Sequence, residues 1–278
     1  MFMKLLVCVK YVPSATEGIR MDENHSLVRD GVIHQLNVAD ESAVELALRL
    51  RGEGSVTVMS MGKAELEEGM RELLAKGVDD AVLLTDRRFA GADTYATART
   101  LAGAVSLLGP FDLILCGRRA VDGETGQVPA ELAAMLGAPC VTNVIAVTAV
   151  KKEGTVANCR PEDTSIMERL CMEENGFWCT RLVENGTMEL LAPKGAVISL
   201  CEYSYILRNA GIKGRREAGR KKVRVLSAGE LGIAGEDCGL RGSPTRVKRV
   251  ERQTAGRRHV KLLEKVEELA ERLKEEMD

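Results

Sequence analysis

"FDLILCGRRAVDGETGQVPAELAAMLG", residues 111–137, is the stretch from which the fold can be read. An apolar run ends at Gly117, two arginines and an acidic, glycine-containing turn follow, and an amphipathic helical pattern begins near Val128. A strand that is apolar throughout needs cover on both faces, as strands of a parallel sheet do. Taken alone, the loop also fits a plain surface turn. Gly117 could simply end the strand, Asp122-Gly123 could make the turn, and Gly126 could let the helix start close to the sheet.

The same alternation surrounds it. "KLLVCVKYV" (4–12), "SVTVMSMG" (55–62), "DDAVLLTD" (79–86) and "PCVTNVIAV" (139–147) read as strands. Between them lie helical patterns. "ESAVELALRLRG" (41–52) follows Asp40 as a candidate N-cap and puts Val44, Ala47, Leu48 and Arg51 on one face. "AELEEGMRELLAKG" (64–77) aligns Leu66, Met70, Leu73 and Leu74 and stops at Gly77. Asp93 caps "TYATARTLAGAVSLLG" (94–109), whose stripe is Tyr95, Ala98, Leu101, Ala102, Val105 and Leu108, and Gly109-Pro110 ends it. This predicts an α/β fold, a doubly wound, Rossmann-like parallel sheet.

After residue 150 the alternation stops. "TVANCR" (155–160), "FWCTRLVENGTMELLA" (177–192) and "GAVISLCEY" (195–203) read as strands, with Asn185-Gly186 as a hairpin turn. The long connection over 13–40 is expected to hold a small hairpin. The basic "RNAGIKGRREAGRKKVRV" (208–225) reads as an extended loop, and 231–258 has few core-forming runs. A terminal helix over 259–276 carries a stripe of Leu262, Val266, Leu269, Leu273 and Met277. The expected division is a nucleotide-binding α/β domain over 1–200, followed by a recognition loop and C-terminal arm over 201–278.

Composition narrows the function. The chain has 278 residues, 45% apolar and 29% charged, with net charge −2, so nothing global points to nucleic acid or an anionic membrane. No apolar run approaches the roughly 18 residues of a membrane span, and the start reads as a strand rather than a signal peptide, so a cytoplasmic protein is expected. Cys8, Cys116, Cys140 and Cys201 sit in apolar runs as small buried hydrophobes, while Cys159, Cys171 and Cys179 form no CxxC pair and have no neighbouring histidine. No metal site is expected. Aromatic residues are only 3%, so a ligand would be held by backbone groups and aliphatic walls rather than by stacking.

In a doubly wound sheet, ligands sit beyond the carboxyl ends of the strands. The loops that converge there are "VKYVPSATEG", "SMGKAE", "TDRRFAGADT" and "GRRAVDGETGQ". The last is neither GxGxxG nor a P-loop. It does leave a strand and enter a helix, which presents free N–H groups and a positive helix end to an anion, and Thr125 and Gln127 add neutral hydrogen-bonding groups. Asp122 and Glu124 would repel phosphate and are expected to meet hydroxyls or a partner's basic groups. This pattern points to a nucleotide. No residue is a convincing acid, base or nucleophile, so no catalytic residue is named.

Four segments in order then resemble the electron-transfer flavoprotein β subunit. "GRRAVDGETGQV" matches the signature G-x-Q-A-x-D-G-D-T-x-Q-V, "VCVKYVP" the N-terminal V-x-V-K-x-V-P, "NVADESAVELALRL" the N-x-x-D-E-x-A-x-E-x-A-L-R-L, and "DTYATA" the D-T-x-A-T-A. The resemblance implies nucleotide contacts at Cys8, at Asn37, Val38, Ala39 and Asp40, at Met61, and at Gly117, Arg118, Arg119, Ala120, Val121, Asp122, Gly123, Glu124, Thr125, Gly126 and Gln127, with Asp93 and Thr94 adjoining. It implies a partner-recognition loop at Ile212, Lys213, Gly214, Arg215 and Arg216. It also implies a heterodimer with an α subunit that carries a second FAD. The compact "DGETGQV" and "KYVPSATEG" resemble members that hold FAD in this subunit, with AMP as the alternative. FAD here implies electron bifurcation: a hydride from NADH, then one electron to a low-potential acceptor such as ferredoxin or flavodoxin and one through the α-subunit FAD. An acyl-CoA dehydrogenase or similar flavoenzyme is the implied further partner. The departures are Arg119 where the pattern has glutamine, a missing N-E-P-R-Y of which Arg208 alone remains, and an unfamiliar 160–178.

Overall fold

The computed structural model describes residues 2–14, 20–21, 27–28, 34–150 and 176–248, and five positions between 266 and 274. Strands β1 (Lys4–Cys8), β2 (Tyr11–Pro13), β3 (Arg20–Met21), β4 (Leu27–Val28) and β5 (His34–Leu36) precede helix α1 (Val38–Leu50). Next come β6 (Ser55–Met61), α2 (Glu67–Ala75), β7 (Asp80–Leu84), α3 (Thr94–Leu108), β8 (Leu113–Gly117), α4 (Val128–Leu136) and β9 (Cys140–Val150). Then follow β10 (Gly176–Val183), β11 (Gly186–Pro193), β12 (Val197–Leu200), α5 (Ile212–Ala218) and β13 (Arg224–Leu226).

One nine-stranded sheet runs β11-β10-β9-β12-β8-β1-β6-β7-β13. From β9 to β13 every neighbouring pair is parallel, and β10 runs antiparallel to both β9 and β11. Strand periodicity divides the core. Leu5 and Val7 face the layer formed by α1 and α2, with Val44, Leu46, Met70 and Leu73. Leu6 and Cys8 face α3 and α4, with Leu101, Val105 and Leu132. The doubly wound expectation therefore holds. Two antiparallel pairs, β2–β5 and β3–β4, form the small excursion expected within 13–40. Among the described residues no helix is long and apolar enough to cross a membrane.

Several local expectations shift. Helix α1 begins at Val38 with Asn37 as its N-cap, so Asp40 lies inside the first turn and is freed for another use. Asp93 does cap α3, accepting the Ala96 N–H at 3.0 Å, but Tyr95 stands outside the buried stripe. The β10–β11 hairpin pairs Val183 with Gly186, so its turn is Glu184-Asn185, one residue before the Asn-Gly signal. Cys140, expected to be buried, is exposed. The expected strand over 155–160 and most of the terminal helix lie outside the described residues.

The largest correction concerns the basic segment, which is not an extended loop. Residues 212–218 form α5, Ala218 and Val223 join the α1–α2 core layer, and β13 completes the sheet beside β7. Helix α5 packs so closely on α2 that a Cβ at Gly214 would lie 2.1 Å from the Ala75 carbonyl oxygen. Arg215 adds a 2.9 Å ion pair to Glu72 of α2. Beyond β13, Leu231, Ile233 and Cys238 pack on the α3–α4 layer, and Asp93 accepts both the N–H and the hydroxyl of Thr245. Local pattern could not show this. The segment has no clean apolar period, and its helix is held by a glycine-mediated approach to a helix about 140 residues earlier.

Replacement of Gly214 by alanine is expected to cost about 1–3 kcal/mol in chemical unfolding. Lys213→Ala, on the exposed side of the same helix, should stay within about 0.5 kcal/mol. Equal tolerance of both changes would show that α5 is not packed on α2.

Candidate functional site

The carboxyl ends of β1, β6 and β8 stand side by side, with Cys8 opposite Met59 on one flank and Cys116 on the other. Three loops meet there, and Asp40 ties two of them. Its carboxyl accepts the Lys10 N–H at 2.7 Å and the Gly117 N–H at 2.9 Å. Gly117 must be glycine for this reason, since an added Cβ would lie 2.1 Å from Asp40 Oδ1 and 2.8 Å from the Ala39 methyl. Asn37, also buried, extends the clasp: its amide donates to the Arg119 carbonyl at 2.9 Å and its side-chain oxygen accepts the Val121 N–H at 3.2 Å. Ala39 forms the helix wall beneath Gly117, and Val38 is the first residue of α1.

The 117–127 loop is matched charge for charge within the chain. Lys10 Nζ lies 2.6 Å from Asp122, which therefore meets a basic group within this chain. Glu202, just beyond β12, receives Arg118 at 2.9 Å and Arg119 at 3.2 Å, and Glu124 lies 3.9 Å from Arg119. Left-handed backbone at Glu124 (φ 51°) and Gly126 (φ 64°) turns the chain into α4. Ala120 accepts the Glu124 N–H, and Gly123 sits at the open crest, with nothing near an added Cβ.

Helix α4 starts without a side-chain cap. Among the described residues the N–H groups of Thr125, Gly126 and Gln127 have no partner, and neither does the buried Nε–H of Arg118. Three unpartnered N–H donors at a helix N-terminus suit an oxygen-rich anion, so the residues present fit a nucleotide phosphate. Thr94 bridges to this end, its hydroxyl 3.1 Å from Gln127 Oε1 and 3.1 Å from Glu131 Oε1. Asp93 faces the other way, toward Ala96 and Thr245. Met61 ends β6 half-buried against the α3–α4 layer.

The electron transfer flavoprotein domain model matches residues 25–231. The electron transfer flavoprotein subunit beta of Thermoanaerobacterium thermosaccharolyticum is 40% identical over 249 residues, covering 88% of this chain and 86% of that protein. The caffeyl-CoA reductase-Etf complex subunit CarD of Acetobacterium woodii is 33% identical over 251 residues, with 89% and 87% covered. Protein FixA of Bradyrhizobium diazoefficiens is 35% identical over 277 residues, with 96% and 88% covered. The chain belongs to the electron transfer flavoprotein family, with the β subunits.

For an electron transfer flavoprotein subunit, the chemistry of the site's own side chains is quiet. Hydrogen bonding to Cys8 and burial hold the Cys116 thiol well above its ordinary value, which leaves it a neutral thiol. Although burial acts to raise Glu202, hydrogen bonds that include those from Arg118 and Arg119 keep its carboxyl below the usual range. The sequence reading missed the roles of Lys10, Glu202 and Glu131. Lys10 stood inside a quoted motif. Glu202 had a weaker signal, its place just past the carboxyl end of a strand.

Asp40 is the exception. Burial pushes its carboxyl from 3.8 up to about 7, against the opposing pull of the Lys10, Asn37 and Gly117 donors. Between those values the native chain keeps a proton that the unfolded chain has released, so this group's contribution to stability falls as pH rises and then levels off above about 7. Asparagine does not titrate. The cost of Asp40→Asn, read from denaturant unfolding, should therefore be greater near pH 5 than near pH 8 by about 2 kcal/mol. A cost that grew with pH would show that the N–H donors hold the carboxyl ionised.

Proposed function

We propose that this chain is the β subunit of a heterodimeric electron-transfer flavoprotein and holds FAD in the cradle formed by residues 8–10, 37–40 and 117–127. The observation that carries this reading is the set of unpartnered N–H groups of Thr125, Gly126 and Gln127 at the uncapped start of α4, on the loop that carries the family signature. Those groups and Arg118 would receive the phosphate oxygens. Asn37 and Asp40 would fix the loop beneath them, and Lys10 would hold its acidic crest at Asp122. The compact turn "DGETGQV" favours FAD over AMP. When bound, FAD supplies the ability to accept a hydride from NADH and release its electrons singly. The chain contributes placement and electrostatics. That CarD is named as a subunit of a caffeyl-CoA reductase complex supports an acyl-CoA-type flavoenzyme as electron partner.

Docking falls to two other parts. Ile212 is 91% exposed at the start of α5 and, with Lys213 and Arg216, forms the face offered to the partner flavoenzyme. Arg215 and Gly214 are occupied against α2 instead. Val266, 78% exposed, and Leu273 lie at helical positions of the C-terminal segment, the part assigned to the α subunit.

Acid release followed by chromatography should yield FAD from the purified chain, whereas AMP without flavin would assign the alternative nucleotide. Gly126→Leu forces a branched side chain into φ 64° and should lower retention at least about tenfold. Retention at the wild-type level would remove the loop from the site. In a second comparison, Ile212→Ser should slow electron delivery while leaving nucleotide content and α-subunit binding intact. Deletion from Arg258 onward should do the opposite, weakening α-subunit binding in a chain that still retains its nucleotide. If both variants lost the same property, this division of labour would be wrong.

A further inference from the structure

Arg119 stands where the family pattern has glutamine, and the nucleotide reading leaves this extra charge without a role. Its side chain answers to Glu202, as does that of Arg118. One carboxylate engages both: Arg118 Nη2 lies 3.1 Å from Oε1 and 2.9 Å from Oε2, and Arg119 Nε lies 3.2 Å from Oε1. Glu202 thereby consumes a terminal nitrogen of Arg118 and pins the guanidinium. The Arg118 Nε–H remains buried and, among the described residues, unpartnered. A buried guanidinium N–H with no acceptor is costly, and the fork geometry of arginine means that fixing its outer nitrogen also fixes the direction of Nε–H.

We propose that Glu202 is a positioning residue for the bound nucleotide: it locks Arg118 and Arg119 together so that the Arg118 Nε–H meets an oxygen of that nucleotide. The proposal rests on the nucleotide-site reading above. Arg119 serves as a counterweight, keeping Glu202 turned toward the loop. Simple charge balance makes the opposite prediction to positioning. Glu202→Gln removes a negative charge beside an anion site, so electrostatics alone would tighten binding, whereas loss of the lock should weaken it.

The test uses the full chain, stripped of nucleotide and titrated separately with FAD and with AMP. Glu202→Gln should weaken whichever nucleotide the wild type binds by about tenfold, with its thermal midpoint unchanged. In a background of Arg118→Gln and Arg119→Gln, the same change should alter affinity by less than about twofold, because Glu202 acts only through the arginines. Arg118→Lys provides a second route should Glu202→Gln fail to fold. It keeps the charge, lacks the Nε–H, and should weaken binding to a similar extent. Tighter or unchanged binding in Glu202→Gln, an equal loss in the arginine-free background, or full affinity in Arg118→Lys would each overturn the proposal. A wild-type chain that bound neither FAD nor AMP would instead overturn the nucleotide site itself.

Discussion

The Asp40 carboxyl takes hydrogen bonds from Lys10 and Gly117, backbone groups 30 and 77 residues away in the chain. Such a group is expensive to bury, and it is kept because it is where β1, α1 and β8 are registered to one another. The glycine at 117 follows from it, since no side chain fits against Asp40 Oδ1. Asn37 then continues the same clasp three residues earlier, fixing the middle of the loop through Arg119 and Val121. The site is thus rigid at its base, where backbone meets buried side chain, and open at its crest.

A second level of order lies in how charge is distributed over that crest. Lys10, Asp122, Arg118, Arg119, Glu124 and Glu202 all stand around one loop, yet each has an opposite neighbour in the same chain. The exposed pairs among them, Lys10–Asp122 and Arg119–Glu124, add little stability on their own. Their effect is to remove net charge from the rim, which leaves the oriented N–H dipoles of the α4 start, rather than a diffuse cationic field, as its main electrostatic feature.

The parallel sheet, its helices and the Asp93 cap were legible in the sequence because each depends on a local period or a single capping residue. What was hidden depended on partners far along the chain. Asp40 read as an N-cap because local rules favour that use of aspartate, but tertiary donors from the segment after β1 and from the end of β8 claimed it. The adjacency of β12 and β8, which brings Glu202 to Arg118, follows from a strand order that sequence proximity does not give. Helix α5 was hidden for a similar reason: with two glycines at or next to its ends and four charged residues within it, it takes its shape from the surface of α2. The convergence of the 117–127 loop on the strand ends was legible as a motif, whereas Lys10 and Glu202, which brace that loop, were not.

The last strand of the sheet has a bearing on how the chain is made. Strand β13 pairs Arg224 with Val82 and Leu226 with Leu84, closing a border that β7 would otherwise present. Synthesis runs from the N-terminus at about 5–20 residues per second, so on the order of ten seconds separates the emergence of β7 from that of its partner. During that interval the nascent domain can complete the contacts around Asp40 while one flank of the sheet still carries unpaired, β-rich backbone, open to wrong pairing with another chain. Residues 224–226 therefore act as a late seal over the edge that β7 presents until they emerge.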